Sequence, residues 1–101
     1  MPFASVLLTD DGEVVAAPTT PKYIRVYGYS ISSRTAINEV ELRSASTVKA
    51  RTEACAQAGG VETVMAPYKS HLFDCAAGEN LNANLSAAGN VAVNVLYSVE
   101  G

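Results

Sequence analysis

The chain has 101 residues and a net charge of −3; 49% of its residues are apolar and 17% charged, and there is no Trp. That length allows one domain with roughly 64% of the unfolded surface buried, because two halves would each be too small to hold a core. Its seven Lys and Arg are scattered from Lys22 to Lys69, which argues against nucleic acid, and no Lys/Arg-rich amphipathic helix argues for a membrane surface.

Much of the apolar content is Ala and Val, which suits thin, close-packed sheets. The low charge density leaves a neutral surface, as on a subunit packed against others or on a modestly soluble monomer; composition leaves both open. The first eleven residues, MPFASVLLTDD, carry no positive charge, and their apolar run stops at Thr9. The expectation is therefore no signal peptide and synthesis in the cytoplasm.

In chain order, Phe3 to Thr9 reads as a short strand ended by Asp10-Asp11-Gly12, and Glu13 to Ala17 as a second, followed by a loop at Pro18 and Pro21. Lys22 to Ser32 has apolar residues on both parities, Ile24 and Val26 on one and Tyr23, Tyr27, Tyr29 and Ile31 on the other. This pattern predicts a strand covered on both faces, one by the core and the other by a subunit or by the chain's own loops.

After a turn at 32–35, Ile37 to Ser44 is expected to pair with that strand as a hairpin, Val40 and Leu42 inward and Glu39, Glu41 and Arg43 outward. Ser46 to Gly60 fits a helix or a strand nearly equally; a strand over Val48 to Ala56 is the choice only with its neighbours and the family resemblance given below. Val61 to Ala66 is a strand stopped by Pro67, and Tyr68 to Asn80 reads as a long irregular stretch across one end.

The last segment alternates twice. Leu81, Ala83, Leu85 and Ala87 oppose Asn82, Asn84 and Ser86; after Ala88-Gly89-Asn90, Val91, Val93, Val95, Tyr97 and Val99 form the apolar set. Period two around a Gly-Asn break predicts a terminal antiparallel hairpin, with Asn82, Asn84, Asn94 and Ser98 together on its polar face. Eight such strands make an all-β fold, an antiparallel β-sandwich or jelly roll in one domain over 1–101.

Chemistry-bearing residues are few. Ser70, His71 and Asp74 crowd one loop, where triad members rarely converge. Asp10, Asp11 and Glu13 lack the ligand order of a calcium loop, and Glu79 reads as a turn residue. Cys55 and Cys75 have no partners at zinc spacing and are expected as buried free thiols, with a disulfide between them as the alternative. The reading is a non-enzyme without metal or cofactor.

Two stretches together resemble a known group. Lys22-Tyr23-Ile24-Arg25-Val26 with Tyr29 is similar to a K-x-I-R-V strand, and Ala76 to Ser86 with Val91 to Glu100 to an AAGE-x-L-N-x-x-L-S…Y-x-V-E ending. Both resemble small β-sandwich virion proteins of tailed bacteriophages, over Lys22 to Glu100. The resemblance implies a capsid decoration or cement protein, or a head-fibre or tail-associated module that binds a ligand such as a glycan.

It further implies a virion location and, as partners, the major capsid protein or other virion proteins. A homo-oligomer is expected, a trimer first. Cys55, Cys75 and the His71-Leu72-Phe73 loop depart from the pattern, so no functional residue transfers. Tyr23, Tyr27, Tyr29, Tyr68 and Phe73 are the aromatic candidates for interface anchors.

Overall fold

The computed structural model describes residues 2–35, 39–52 and 60–101. They form nine strands: β1 (Phe3–Leu8), β2 (Gly12–Val15), β3 (Tyr23–Ser33), β4 (Val40–Ser44), β5 (Thr47–Thr52), β6 (Val61–Met65), β7 (Phe73–Asp74), β8 (Leu81–Leu85) and β9 (Val91–Glu100). The fold is all-β, with two antiparallel sheets enclosing one core. One sheet has the order β1-β9-β3-β6, with β7 also on β3; the other is β2-β8-β4-β5.

Alternation builds that core from both sheets. Ile24, Val26, Ile31, Val91, Val93 and Val95 come from the first and Val40, Leu42, Leu81 and Ala83 from the second, all essentially inaccessible to solvent. At about 1.5 to 3 kcal/mol per buried large aliphatic side chain, this cluster is the main favourable contribution to folding.

The sequence-predicted terminal hairpin does not form. β8 pairs with β2 and β4 while β9 pairs with β1 and β3, so the two lie in opposite sheets. The connecting backbone bonds elsewhere, Ser86 N to Glu39 O and Gly89 N to Thr9 O, instead of closing a tight turn. Alternation shows that a strand has a buried face but not which strand sits beside it, and either sheet offers the same core. Consequently Asn82 and Asn84 lie on the opposite outer surface from Asn94 and Ser98.

β3 and β4 likewise separate into different sheets. A consecutive hairpin that does form is β4–β5, with Ser44 opposite Thr47 and Ala45 at positive φ in the turn. Strand is thus the outcome for Thr47 to Thr52, while 53–59, with Cys55, lie outside the described residues. Tyr68 to Asn80 is not wholly irregular: β7 interrupts it, and Leu72 and Cys75 donate their N–H groups to Val26 and Ile24 of β3, and Gly78 to Lys22 just before it.

The mixed parity of β3 has a local cause. Val26 faces Tyr97 and Gly28 faces Leu96 on β9, leaving Tyr27 unpaired in a bulge. The extra residue reverses the alternation, so Ile24 and Val26 before it and Tyr29, Ile31 and Ser33 after it all point inward. The core-facing parity of β3 thus switches at the bulge, and of the sequence's apolar set only Tyr23 and Tyr27, up to the bulge, stay on the outer face.

Candidate interaction surface

The outer face of the β1-β9-β3-β6 sheet is built by register. Phe3, Leu96, Gly28 and Met65 stand side by side in one row. Ser5, Asn94, Ser30 and Thr63 form the next, and Leu7, Ala92, Ser32 and Val61 the third. None of these three rows of four carries a charge.

Phe3, Leu7, Val61 and Met65 are between 59% and 72% exposed, large apolar side chains spread over one sheet face. The polar row between the two apolar ones is bonded within itself, Ser5 Oγ donating to Asn94 Oδ1 at 2.7 Å and Thr63 Oγ1 to Ser30 Oγ at 3.2 Å. Covering it strips fewer free donors and acceptors of water than its composition implies. Between Phe3, Gly28, Met65 and Leu96 lies a shallow, mostly apolar hollow of about 230 Å³.

The outer face of the other sheet is the reverse. Asn84, Glu41 and Arg51 form a row across β8, β4 and β5, and Glu13, Asn82 and Arg43 another. Glu41 accepts from Arg43 Nε at 3.0 Å and pairs with Arg51 at 2.9 Å. The Arg43 hydrogen bond leads in holding the Glu41 carboxyl below its usual range, with both arginine charges adding to it against partial burial. One side of the sandwich is therefore charged, while the other is neutral over these three rows.

Below the neutral rows, past the bulge, the first face turns polar and aromatic. Arg25 holds Asp74 through Nε at 2.9 Å and Nη2 at 3.2 Å, and donates to Tyr23 Oη at 3.1 Å. Ser98 Oγ donates to Glu100 at 2.6 Å, so the 3.0 Å contact between Tyr27 Oη and Ser98 Oγ has the tyrosine as donor.

Beside it, 67–72 leaves the edge of β3 as a loop between Ala66 N, bonded to Tyr27 O, and Leu72 N, bonded to Val26 O. Tyr68 in this loop is 91% exposed, with Lys69 Nζ 5.6 Å from its ring centroid.

Of the five aromatic candidates, Tyr23 and Tyr27 both lie at the polar end of this face, bonded to Arg25 and Ser98, and Tyr68 is exposed in the adjoining loop. Tyr29 does not join them: after the bulge it points into the core and is buried. Phe73 sits opposite Val26 and packs against the core. Phe3, Leu7, Val61, Met65 and Leu96 were not singled out from sequence. Their signal was apolar side chains on both parities of β1, together with Val61 and Met65 sharing a parity on β6.

The loop constellation does not form a triad. His71 Nε2 lies 3.5 Å from Asp74, but that carboxylate is occupied by Arg25. Asp11 accepts from Leu85 N at 2.7 Å and Glu13 from Asn80 at 2.9 Å, so each carboxylate serves the fold. Glu79 accepts from Ser44 at 2.5 Å, pinning its turn to β4. No group of three or more His, Cys, Asp or Glu suited to hold a metal occurs among the described residues. Cys75 is a buried free thiol, its pKa raised chiefly by burial.

No protein-family model and no curated protein matches this chain.

Proposed function

We propose that this is a structural component of a larger assembly, a virion protein of a tailed bacteriophage that decorates and stabilises the capsid lattice as a symmetric oligomer. The observation that carries the reading is the neutral outer face: three rows without a charge, rich in exposed apolar side chains, opposite a face dominated by charged and amide side chains on the same sandwich. Exposed apolar rows flanking an internally bonded polar row, with no charge among them, match the charge-depleted centre of a protein contact.

Two further features support it. The pairings β1–β9, β2–β8, β3–β6 and β4–β5 nest inside one another, which fits a jelly roll, an architecture that viral capsid domains use among others. Tyr23, Arg25 and Tyr27 continue the neutral face at one end, and Tyr and Arg are the residue types enriched at the energetic centres of interfaces.

Binding of this sort adds modest contacts over many copies, so the accumulated stabilisation exceeds any single contact. The test is co-sedimentation of purified protein with capsids of the phage that carries its gene, with capsid melting followed by calorimetry. Binding with a raised melting temperature supports the reading; no association at saturating protein contradicts it.

A glycan-binding role for 67–72 is the second reading, favoured by the exposure of Tyr68. A glycan array probed with wild type and Tyr68→Ala tests it.

A further inference from the structure

We infer that the neutral face pairs with the same face of a second copy, about a two-fold axis running along the strands between β9 and β3. The inference deepens the reading above: it rests on that face being a protein contact, and not on a capsid being present.

The order of the rows is self-complementary. Rotation about this axis keeps each row at its own height and exchanges left for right, so apolar rows meet apolar rows and the polar row meets itself, as an isologous contact requires. β1 then lies over β6 of the second copy and β9 over its β3. Phe3 faces the second copy's Met65, Leu7 its Val61, and Leu96 the hollow of about 230 Å³ beside that Met65, whose thioether covers Gly28. Met65 borders that hollow, and its unbranched thioether adapts to what enters.

Charge selects both occupant and axis. A face without charge offers nothing to a charged partner, yet meets no repulsion from its own copy. Beyond the rows, a two-fold axis across the strands would lay Arg25 over the second copy's Arg34, like on like. The axis along the strands instead sets Arg25 opposite the second copy's Ser98 and beside its Glu100, and Tyr23 opposite that Glu100. The register already pairs these positions within one chain, Tyr23 with Glu100 and Arg25 with Ser98.

Area sets the strength. Strands ~4.8 Å apart with a rise of ~3.4 Å per residue give the three rows a footprint of roughly 400 Å². That is half of the ~800 Å² per partner of a standard interface. The pair belongs to the weak class, forming at high concentration or when copies are held side by side.

The test is sedimentation velocity of the full chain without capsids, from roughly 10 µM to roughly 500 µM, the range in which a weak interface populates both species. Wild type should move towards twice the monomer mass. Val61→Lys and Met65→Lys, both at exposed positions and checked for native circular dichroism, should associate at least about ten-fold more weakly. Glu13→Lys, on the polar sheet, should behave as wild type.

Monomeric wild type at the highest concentration, or undiminished pairing in both lysine variants, overturns the inference. Monomers that still bind capsids would sink it while leaving the capsid reading standing. Dimers that ignore capsids would do the reverse.

Discussion

The Met65 thioether lies over Gly28, occupying the space that a Cβ at position 28 would need. This contact joins the edge strand β6 to the centre of the sheet and shapes the hollow in the neutral face. Gly28→Ala must displace Met65 and press on the Val64 carbonyl oxygen, 3.1 Å from the added carbon. The expected loss is about 1 kcal/mol, partly regained in the double variant with Met65→Ala. Urea unfolding measures both; equal midpoints for wild type and Gly28→Ala would show that the contact constrains nothing.

Glu62 is the opposite kind of neighbour to Met65. On β6 it points inward opposite Ile31, and its Oε2 is buried without a hydrogen-bond partner among the described residues. An unsatisfied buried carboxylate oxygen costs about 1 to 3 kcal/mol, so Glu62→Val should raise the thermal midpoint. An inward charge also blunts an edge strand against pairing with other chains. The same variant should therefore aggregate more readily, as light scattering during refolding would register; a lowered midpoint would contradict the account.

Ala45 turns the β4–β5 hairpin at φ 50°, in the left-handed region where a Cβ is crowded. Ala45→Gly removes that strain at some cost in chain entropy, for a net gain of about 0.5 to 1 kcal/mol. Thermal unfolding gives the sign directly, and a loss of stability would place the turn's strain elsewhere.

Asp74 links the short β7 to β3 through Arg25. The hydrogen bond from Arg25, with its charge and smaller contributions from His71 and Lys49, holds the carboxyl below its ordinary value against partial burial. A depressed folded-state pKa contributes stability that is present above the unfolded value, about 3.9, and lost as pH falls through the folded one. Asp74→Asn should thus melt below wild type at pH 7, with the gap closing below about pH 4. Partial exposure of the pair keeps the gap small. A difference that persists unchanged at pH 2 would assign the effect to packing.

The sequence made the strands legible and their neighbours illegible. Leu81, Ala83, Leu85, Val91, Val93 and Val95 were readable as inward residues because period two reports burial directly, and all six are buried. Their extension to Tyr97 and Val99 failed in degree: both keep the inward parity, but near the end of the sheet Val99 is 45% exposed.

Pairing was not readable, since β8 and β9 carry the same alternation whether they face each other or lie in opposite sheets. The parity switch at Tyr27 was visible only as a mixture of apolar parities, which a strand covered on both sides would also produce. That ambiguity placed Tyr29 among the surface candidates. The neutral face was hidden for a related reason: it exists only once β1, β9, β3 and β6 lie side by side, and its residues come from four separated segments.

The most direct test of the central claim, that this neutral face is where the protein meets its assembly, is hydroxyl-radical footprinting read by mass spectrometry. Free protein at low concentration is compared with protein on the particle, following Met65 and Phe3 on the face and Val48 on the opposite sheet. The account predicts that Met65 and Phe3 lose most of their oxidation on assembly while Val48 keeps its own. Unchanged oxidation of Met65 and Phe3 in the assembled particle would contradict it.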